Sequence, residues 1–351
     1  MPTPRSGGLR WWLAAALVAA GAGLLVWRAR QARLARLPRP EAALRSAMAG
    51  LGITPALTLS LEKGPGNSLA LEARLPRALD PSLALDALRK ALGRADLSLV
   101  SSRGPATAPE GLEYDWDFRG PLGSVSVRAL RGTRPALALL VDDWGYYDNT
   151  LPLLLALPRQ VSLAVFPGLT YSRQIAEAAS RRGHEILLHL PMQPERAMPL
   201  VPGTLLVSMP DSQLESMTRD ELDSVPDVVG VNNHEGSLAT QDPRLMGCVL
   251  RVLKERGLYF LDSLTTPQSV AGPLAARMGV RTATRQVFLD NKEDLASVEA
   301  ALRGAARLAL KRGTCIAIGH PHPNTLKAMA ALVPEFQGQG IELVPVSELV
   351  R

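Results

Sequence analysis

VDDWGYYDNT, residues 141–150, ends the apolar run ALALLV with two adjacent aspartates, Asp142 and Asp143, and then breaks at Gly145. A run built for burial gains nothing by ending on two carboxylates, so the junction needs a reason. From Arg134 onward, short apolar runs recur with helical stretches between them: ALALLV, VSLAVF, EILLHL, VVGVN, LYFLD, QVFLD, TCIAIG and ELVPV. Strands alternating with helices pair in parallel, and seven or eight such units over residues 131–351 predict an α/β fold, a closed or nearly closed barrel, with an open doubly wound sheet as the alternative. Nearly every run ends in a polar or turn cluster: DDWG, FPG, HLPMQP, NNHEGS, FLDS, FLDN and GHPHP. That favours the barrel, whose active sites gather at the C-terminal ends of the strands.

The chain holds five histidines, and four of them, His189, His234, His320 and His322, occupy these ends. His184 precedes its strand and reads as a solvated or capping residue. Two adjacent carboxylates after a buried strand repel each other and lose hydration, which a cation or a proton between them relieves. The structural alternative has one aspartate capping the turn and the other in solvent. One Asp with two His is a ligand set suited to zinc or a similar divalent ion, leaving positions open for water and substrate. Asn232 and Asn233, neutral amides beside such a site, suit substrate hydroxyls or an oxyanion, or else a turn that tolerates left-handed geometry. Arg285, ahead of QVFLD, can pair Asp142 or Asp290 or remain solvated.

VDDWG, HEILLHLPMQP, VGVNNHEGS, YFLDS and IAIGHPHPNT, in that order, look like the divergent polysaccharide deacetylase family, distant relatives of the chitin and peptidoglycan N-deacetylases. The resemblance covers about residues 134–351. It implies a distorted (β/α) barrel of seven to eight parallel strands, a divalent metal with zinc as the expectation, hydrolysis of N-acetyl groups from an envelope polysaccharide, and export. By the same resemblance, Asp142 is the general base, and Asp143 ligates the metal with His189. The family's second histidine, four residues on, is replaced by Gln193, so His234 is expected as the third ligand from the next strand, with Gln193 left to the substrate. His320 or His322 then protonates the departing amine, His320 being favoured because it ends its strand directly. Asp262 either holds that histidine's tautomer or caps the turn into SLTTP. Trp144 and Tyr146 either stack on a sugar ring or pack over the barrel mouth.

The rest of the chain sets location and partners. Net charge is +6, yet residues 1–40 carry seven arginines and no acid, leaving −1 for the remainder, which removes the main support for nucleic-acid binding. Within residues 1–40, seventeen uncharged residues from Trp11 to Trp27 span about 25 Å as a helix and read as a membrane anchor after a cytoplasmic stub, with a cleaved signal peptide as the alternative. Arg28, Arg30, Arg33 and Arg36 outnumber Arg5 and Arg10, which alone would keep the following domain cytoplasmic; the family resemblance implies the exported side instead. Residues 41–130 read as a small α+β module with nothing catalytic in it. Cys248 and Cys315 lie in apolar settings and read as buried thiols. A barrel that binds glycan without turnover, and an envelope scaffold protein, are the rival functions; Gln193 is the best support for the former.

Overall fold

The computed structural model describes residues 34–109 and 111–351, together with Arg28 and Ala32. The Trp11–Trp27 segment lies outside the described residues, and among those described no helix is long and apolar enough to cross a membrane.

The chain first builds α1 (Pro40–Gly50), β1 (Thr58–Gly64), β2 (Ser68–Arg74), α2 (Pro81–Gly93), β3 (Ser98–Ala108), β4 (Gly111–Gly120) and β5 (Gly123–Arg131). Pro81 presets the first turn of α2, and Asp80 caps it by accepting from Ser82 N at 2.8 Å. The strands form one sheet in the order β1-β2-β5-β4-β3, antiparallel except where β2 meets β5. Alternation along LEYDWDF sends Trp116 and Phe118 into the core with the helices and leaves Asp115 and Asp117 facing Arg103 and Arg128. β3, SLVSSRGPATA, is an exposed edge strand too poor in apolar residues to show as a strand in the sequence.

From Ala136 strands and helices alternate: β6 (Ala136–Trp144), α3 (Leu151–Leu155), β7 (Ser162–Val165), α4 (Ser172–Arg181), β8 (Ile186–Met192), α5 (Asp211–Ser224), β9 (Val228–Glu235), α6 (Pro243–Arg256) and β10 (Tyr259–Asp262). Then come α7 (Ala271–Met278), β11 (Thr282–Thr284), β12 (Val287–Phe288), α8 (Leu295–Arg312), β13 (Thr314–Gly319), α9 (Pro323–Gly338), β14 (Glu342–Leu343) and α10 (Val346–Leu349). All pairings are parallel, in the order β11-β10-β9-β8-β7-β6-β13-β12, with β14 beside the start of β6. Only Arg285 and Gln286 separate β11, on β10, from β12, on β13, so one segment that changes partner bridges the two edges of the sheet. This partner change makes the (β/α) barrel a distorted one.

Pleating divides the strand residues into two sets. Ala136, Ala138, Leu140, Leu187, Tyr259, Leu261, Ile316 and Ile318 fill the lumen. Leu137, Leu139, Val141, Leu163, Leu188 and Phe260 pack beneath the helices, where Cys248 and Cys315 are buried as free thiols. At the N-terminal end of the lumen, buried Glu185 receives Tyr259 Oη at 2.8 Å, Ser347 N at 3.0 Å, and the hydroxyls of Ser162 and Thr54 at 3.3 Å each. Thr54 belongs to the preceding α+β unit, which therefore helps to close the barrel floor. His184 is buried beside this floor, its Nδ1 2.8 Å from Val161 O, rather than solvated.

The same unit grips the end of the chain. Arg74 and Arg77 pair with Glu342 and Glu348, and the side chain of Glu348 is fully buried. Burial pushes the Glu348 carboxyl up, and the two guanidinium groups offset only part of that rise. Removing one partner of a buried pair strands the other charge, at a cost of about 3–5 kcal/mol, whereas an apolar pair of similar volume is often neutral. Arg77→Ala is therefore expected to lose several kcal/mol of unfolding free energy in urea titrations, and Arg77→Met with Glu348→Met to recover most of it.

Candidate metal and catalytic site

β6 solves the problem of its two aspartates with a bulge. Val141 pairs Leu163 and Trp144 pairs Val165, so Asp142 and Asp143 together oppose Ala164. Asp142 continues the inward series of Ala136, Ala138 and Leu140. Asp143 takes φ +60°, a left-handed value that aspartate accepts more readily than most residues, and this turns its carboxylate toward the same mouth. Trp144 then points outward into the core beneath the helices and is fully buried, so packing holds it and it offers no face to a sugar.

Inward residues at neighbouring strand ends converge on this bulge. Asp143 Oδ1 lies 2.9 Å from His189 Nε2 and 3.2 Å from His234 Nδ1, and the two ring nitrogens are 3.1 Å apart. Three donor atoms at these separations match the edge of a tetrahedral site, since atoms about 2.0–2.2 Å from one ion lie about 3.4 Å apart. Phe166, at the end of β7, sets its edge against both imidazoles, with centroids 4.9 Å from His189 and 4.6 Å from His234.

Asn232 is the hub behind this triangle. Its Nδ2 donates to both oxygens of Asp142, at 3.0 and 2.9 Å, and to Ser263 Oγ at 3.1 Å. Its Oδ1 therefore accepts, and His189 Nδ1, 2.9 Å away, carries the proton. That fixes the tautomer and leaves the Nε2 lone pair for a cation. Asn233 is likewise engaged, donating to Glu235 O at 2.7 Å and accepting from Ser263 N at 2.9 Å. Both amides are buried and hold protein groups, so neither is placed to meet a substrate as expected. Gln193 also turns away, its Oε1 accepting from Val207 N at 2.8 Å to pin the following loop.

The two aspartates differ in proton affinity. Burial pushes the Asp142 carboxyl up, with the charges of His189 and His320 opposing. Burial acts on Asp143 in the same direction, but the two imidazoles outweigh it and hold the carboxyl well below the usual range. His189, despite burial that favours its neutral form, is raised to about 9 by Asp142 and Asp143. One carboxyl with raised proton affinity thus stands beside one that stays ionised.

On the far side, His320 Nε2 is 3.8 Å from Asp143 Oδ2, and its Nδ1 is 2.9 Å from Asp290 Oδ1. Asp290 also accepts from His320 N at 2.6 Å and Thr325 Oγ1 at 2.8 Å. These contacts hold the Asp290 carboxyl low and, against the effect of burial, raise His320. The orienting carboxylate is therefore Asp290 and not Asp262, which accepts from Leu264 N at 2.8 Å and Ser269 Oγ at 2.7 Å and so caps its own turn. Pleating explains the difference between two identical triplets. In Phe260-Leu261-Asp262 the leucine lines the lumen and the aspartate faces outward, while Leu289 of Phe288-Leu289-Asp290 packs outward and leaves Asp290 facing in. His322 stands at the N-cap position of α9 without a side-chain capping bond and lies 3.7 Å from Glu293 near solvent, its ring centroid 6.0 Å from that of His320. Arg285 pairs neither Asp142 nor Asp290 and donates instead to Ser263 O at 2.7 Å and Leu264 O at 3.0 Å.

Comparison with known proteins places this barrel. Its sequence is 39% identical over 215 residues to an uncharacterized protein of Haemophilus influenzae, covering 61% of this chain and 76% of that one. It is 38% identical over 215 residues to the uncharacterized protein YibQ of Escherichia coli K12, covering 61% and 67%. An uncharacterized protein from Agrobacterium tumefaciens C58 has a crystal structure that superposes with a TM-score of 0.59 at 26% identity, over 62% of this chain and 89% of that one. The profile of the divergent polysaccharide deacetylases matches residues 139–350, a span that takes in the bulge, all three donor groups and the Asp290–His320 pair, and the chain belongs to that family.

Proposed function

We propose that the chain is a metal-dependent hydrolase that removes N-acetyl groups from an envelope polysaccharide. The observation that carries this reading is the convergence of Asp143 Oδ1, His189 Nε2 and His234 Nδ1 within 3.2 Å of one another, beside a separately held Asp142. These residues would hold a divalent ion, zinc in our reading, which when bound polarises an amide carbonyl and lowers the pKa of water. Asp142, its proton affinity raised by burial, takes the proton of the attacking water. His320, kept protonated at Nδ1 by Asp290, delivers a proton from Nε2 to the amide nitrogen as the C–N bond breaks. Asn232 keeps Asp142 and His189 in register throughout.

The same proposal places the domain on the exported side of a membrane, held by the Trp11–Trp27 segment, with the glycan as partner and no role for nucleic acid. The long uncharged run supports the anchor, the near-neutral charge beyond it argues against nucleic acid, and the exported side follows from the family resemblance. A barrel without turnover finds less support, because Gln193 leaves no gap at the triangle that His234 does not fill.

Elemental analysis of the purified chain is expected to find close to one divalent ion, lost in Asp143→Ala and His234→Ala and not increased in Gln193→His. A metal-free protein after incubation with zinc would sink the mechanism. Because a proton occupies His189 below about pH 9, it competes with the ion. Affinity should fall by up to about tenfold per unit as pH drops from 8 to 6, as read with a chelating dye. In acetate-release assays His320→Ala should lower kcat by roughly 10²–10⁴-fold, against a few-fold change for His322→Ala. Asp290 raises the proton affinity of His320, and an acid loses function as pH rises through its pKa, so Asp290→Asn should move the alkaline limb of the profile to lower pH.

A further inference from the structure

Six non-glycine residues among those described have positive φ, and five of them are Asn, Asp or Glu; the sixth is Leu264, at φ +49°. Asparagine and aspartate enter this region with modest difficulty, whereas a bulky residue persists there only when its surroundings overdetermine the backbone. The turn at Leu264 is overdetermined. Asp262 Oδ1 accepts from Leu264 N at 2.8 Å, and Arg285 donates to Ser263 O at 2.7 Å and to Leu264 O at 3.0 Å. Ser263 N donates to Asn233 Oδ1 at 2.9 Å. The Arg285 guanidinium lies over Phe288 at 5.3 Å, and Phe288 lies 5.0 Å from His320.

None of this serves packing of the leucine itself. Asp262 and Ser263 are buried, but Leu264 is 38% exposed. Asparagine or glycine would make the same turn with less strain. The turn also touches both sides of the site: Ser263 Oγ accepts from Asn232 Nδ2, which holds Asp142, and Arg285 connects through Phe288 to His320. A strained, exposed, apolar residue thus follows directly on Ser263, whose hydroxyl reaches the amide that holds Asp142, and such a residue is suited to meeting a ligand.

We propose that Leu264 is a specificity-determining contact at the barrel mouth, held to pack against the C–H face of the pyranose that carries the acyl group. The proposal rests on the deacetylase reading for the identity of the ligand, and on the turn geometry for the residue. The test uses the full zinc-loaded chain and the probe tetra-N-acetylchitotetraose, with calorimetric affinity, acetate release and thermal unfolding as readouts. Leu264→Asn, nearly the same size and at ease in a left-handed turn, should raise the unfolding midpoint by roughly 2–4 °C while weakening the probe at least about fivefold. Leu264→Gly should weaken binding at least as much, and Leu264→Met should bind within about threefold of wild type with no gain in midpoint. Wild-type affinity in Leu264→Asn, or a midpoint raised by neither Asn nor Gly, overturns the proposal. A wild-type chain that binds the probe but releases no acetate sinks the deacetylase reading and leaves Leu264 to be judged on affinity; one without affinity sinks both.

Discussion

The left-handed backbone at Asp143 is the constraint on which the site depends. In a regular strand alternation would send Asp142 inward and Asp143 outward, among the leucines and valines beneath the helices, where an ionised carboxylate has no partner. The bulge brings both to the mouth, and the barrel then separates them by environment. Asp142 meets the Asn232 amide, while Asp143 meets two imidazoles. Their surroundings thus set the two proton affinities apart, and the proposed roles of base and ligand follow from those neighbours.

How much of this could be read from the sequence divides along a physical line. The barrel and the strand-end position of the polar clusters follow from local patterning, because each strand carries its polar residues at its own end; the grouping of Asp143 with His189 and His234 is implied by the family resemblance and not by any spacing in the sequence. Which direction a strand-end residue faces is harder to read. Asp262 and Asp290 end identical triplets, and only the register of each strand against the lumen separates them. That register lies in the pairing with neighbouring strands, β9 and β11 for the first triplet and β13 for the second, and nothing in the triplets records it. β3 and β11 were equally silent, being an exposed edge and a three-residue strand rich in threonine.

Asn232 shows the second kind of illegibility. Beside a presumed ion, an asparagine is naturally assigned to the substrate, yet its contacts run to residues 90, 43 and 31 positions away. An amide has a donor and an acceptor in one plane, so it can join a carboxylate that must accept to an imidazole that must donate. An aspartate at 232 would repel Asp142, and a leucine would leave Asp142 and His189 without the bonds that hold the carboxyl in place and fix the imidazole's tautomer. Gln193 underwent the opposite misreading. The family resemblance assigns it to the substrate in place of a lost ligand, but its side chain binds the Val207 amide, while His234 of the next strand stands beside Asp143.

Buried polarity by itself does not mark a functional site, and the two ends of this lumen show why. At the floor, both oxygens of Glu185 receive protons from Tyr259, Ser162, Thr54 and the Ser347 amide, so the carboxyl is provided for by the fold, and a residue of the preceding unit completes the set. At the mouth, His189 Nε2 and His234 Nδ1 face each other at 3.1 Å and face the same carboxylate oxygen. With Nδ1–H of His189 committed to Asn232, any neutral arrangement leaves two lone pairs among these three atoms directed into one small space. A proton on His189 Nε2 closes the set, but as a buried imidazolium that depends on the charges of Asp142 and Asp143. Under the proposed function a divalent ion would take the place of that proton, so what fills the mouth is exchangeable, whereas the floor is closed by neutral donors of the protein itself.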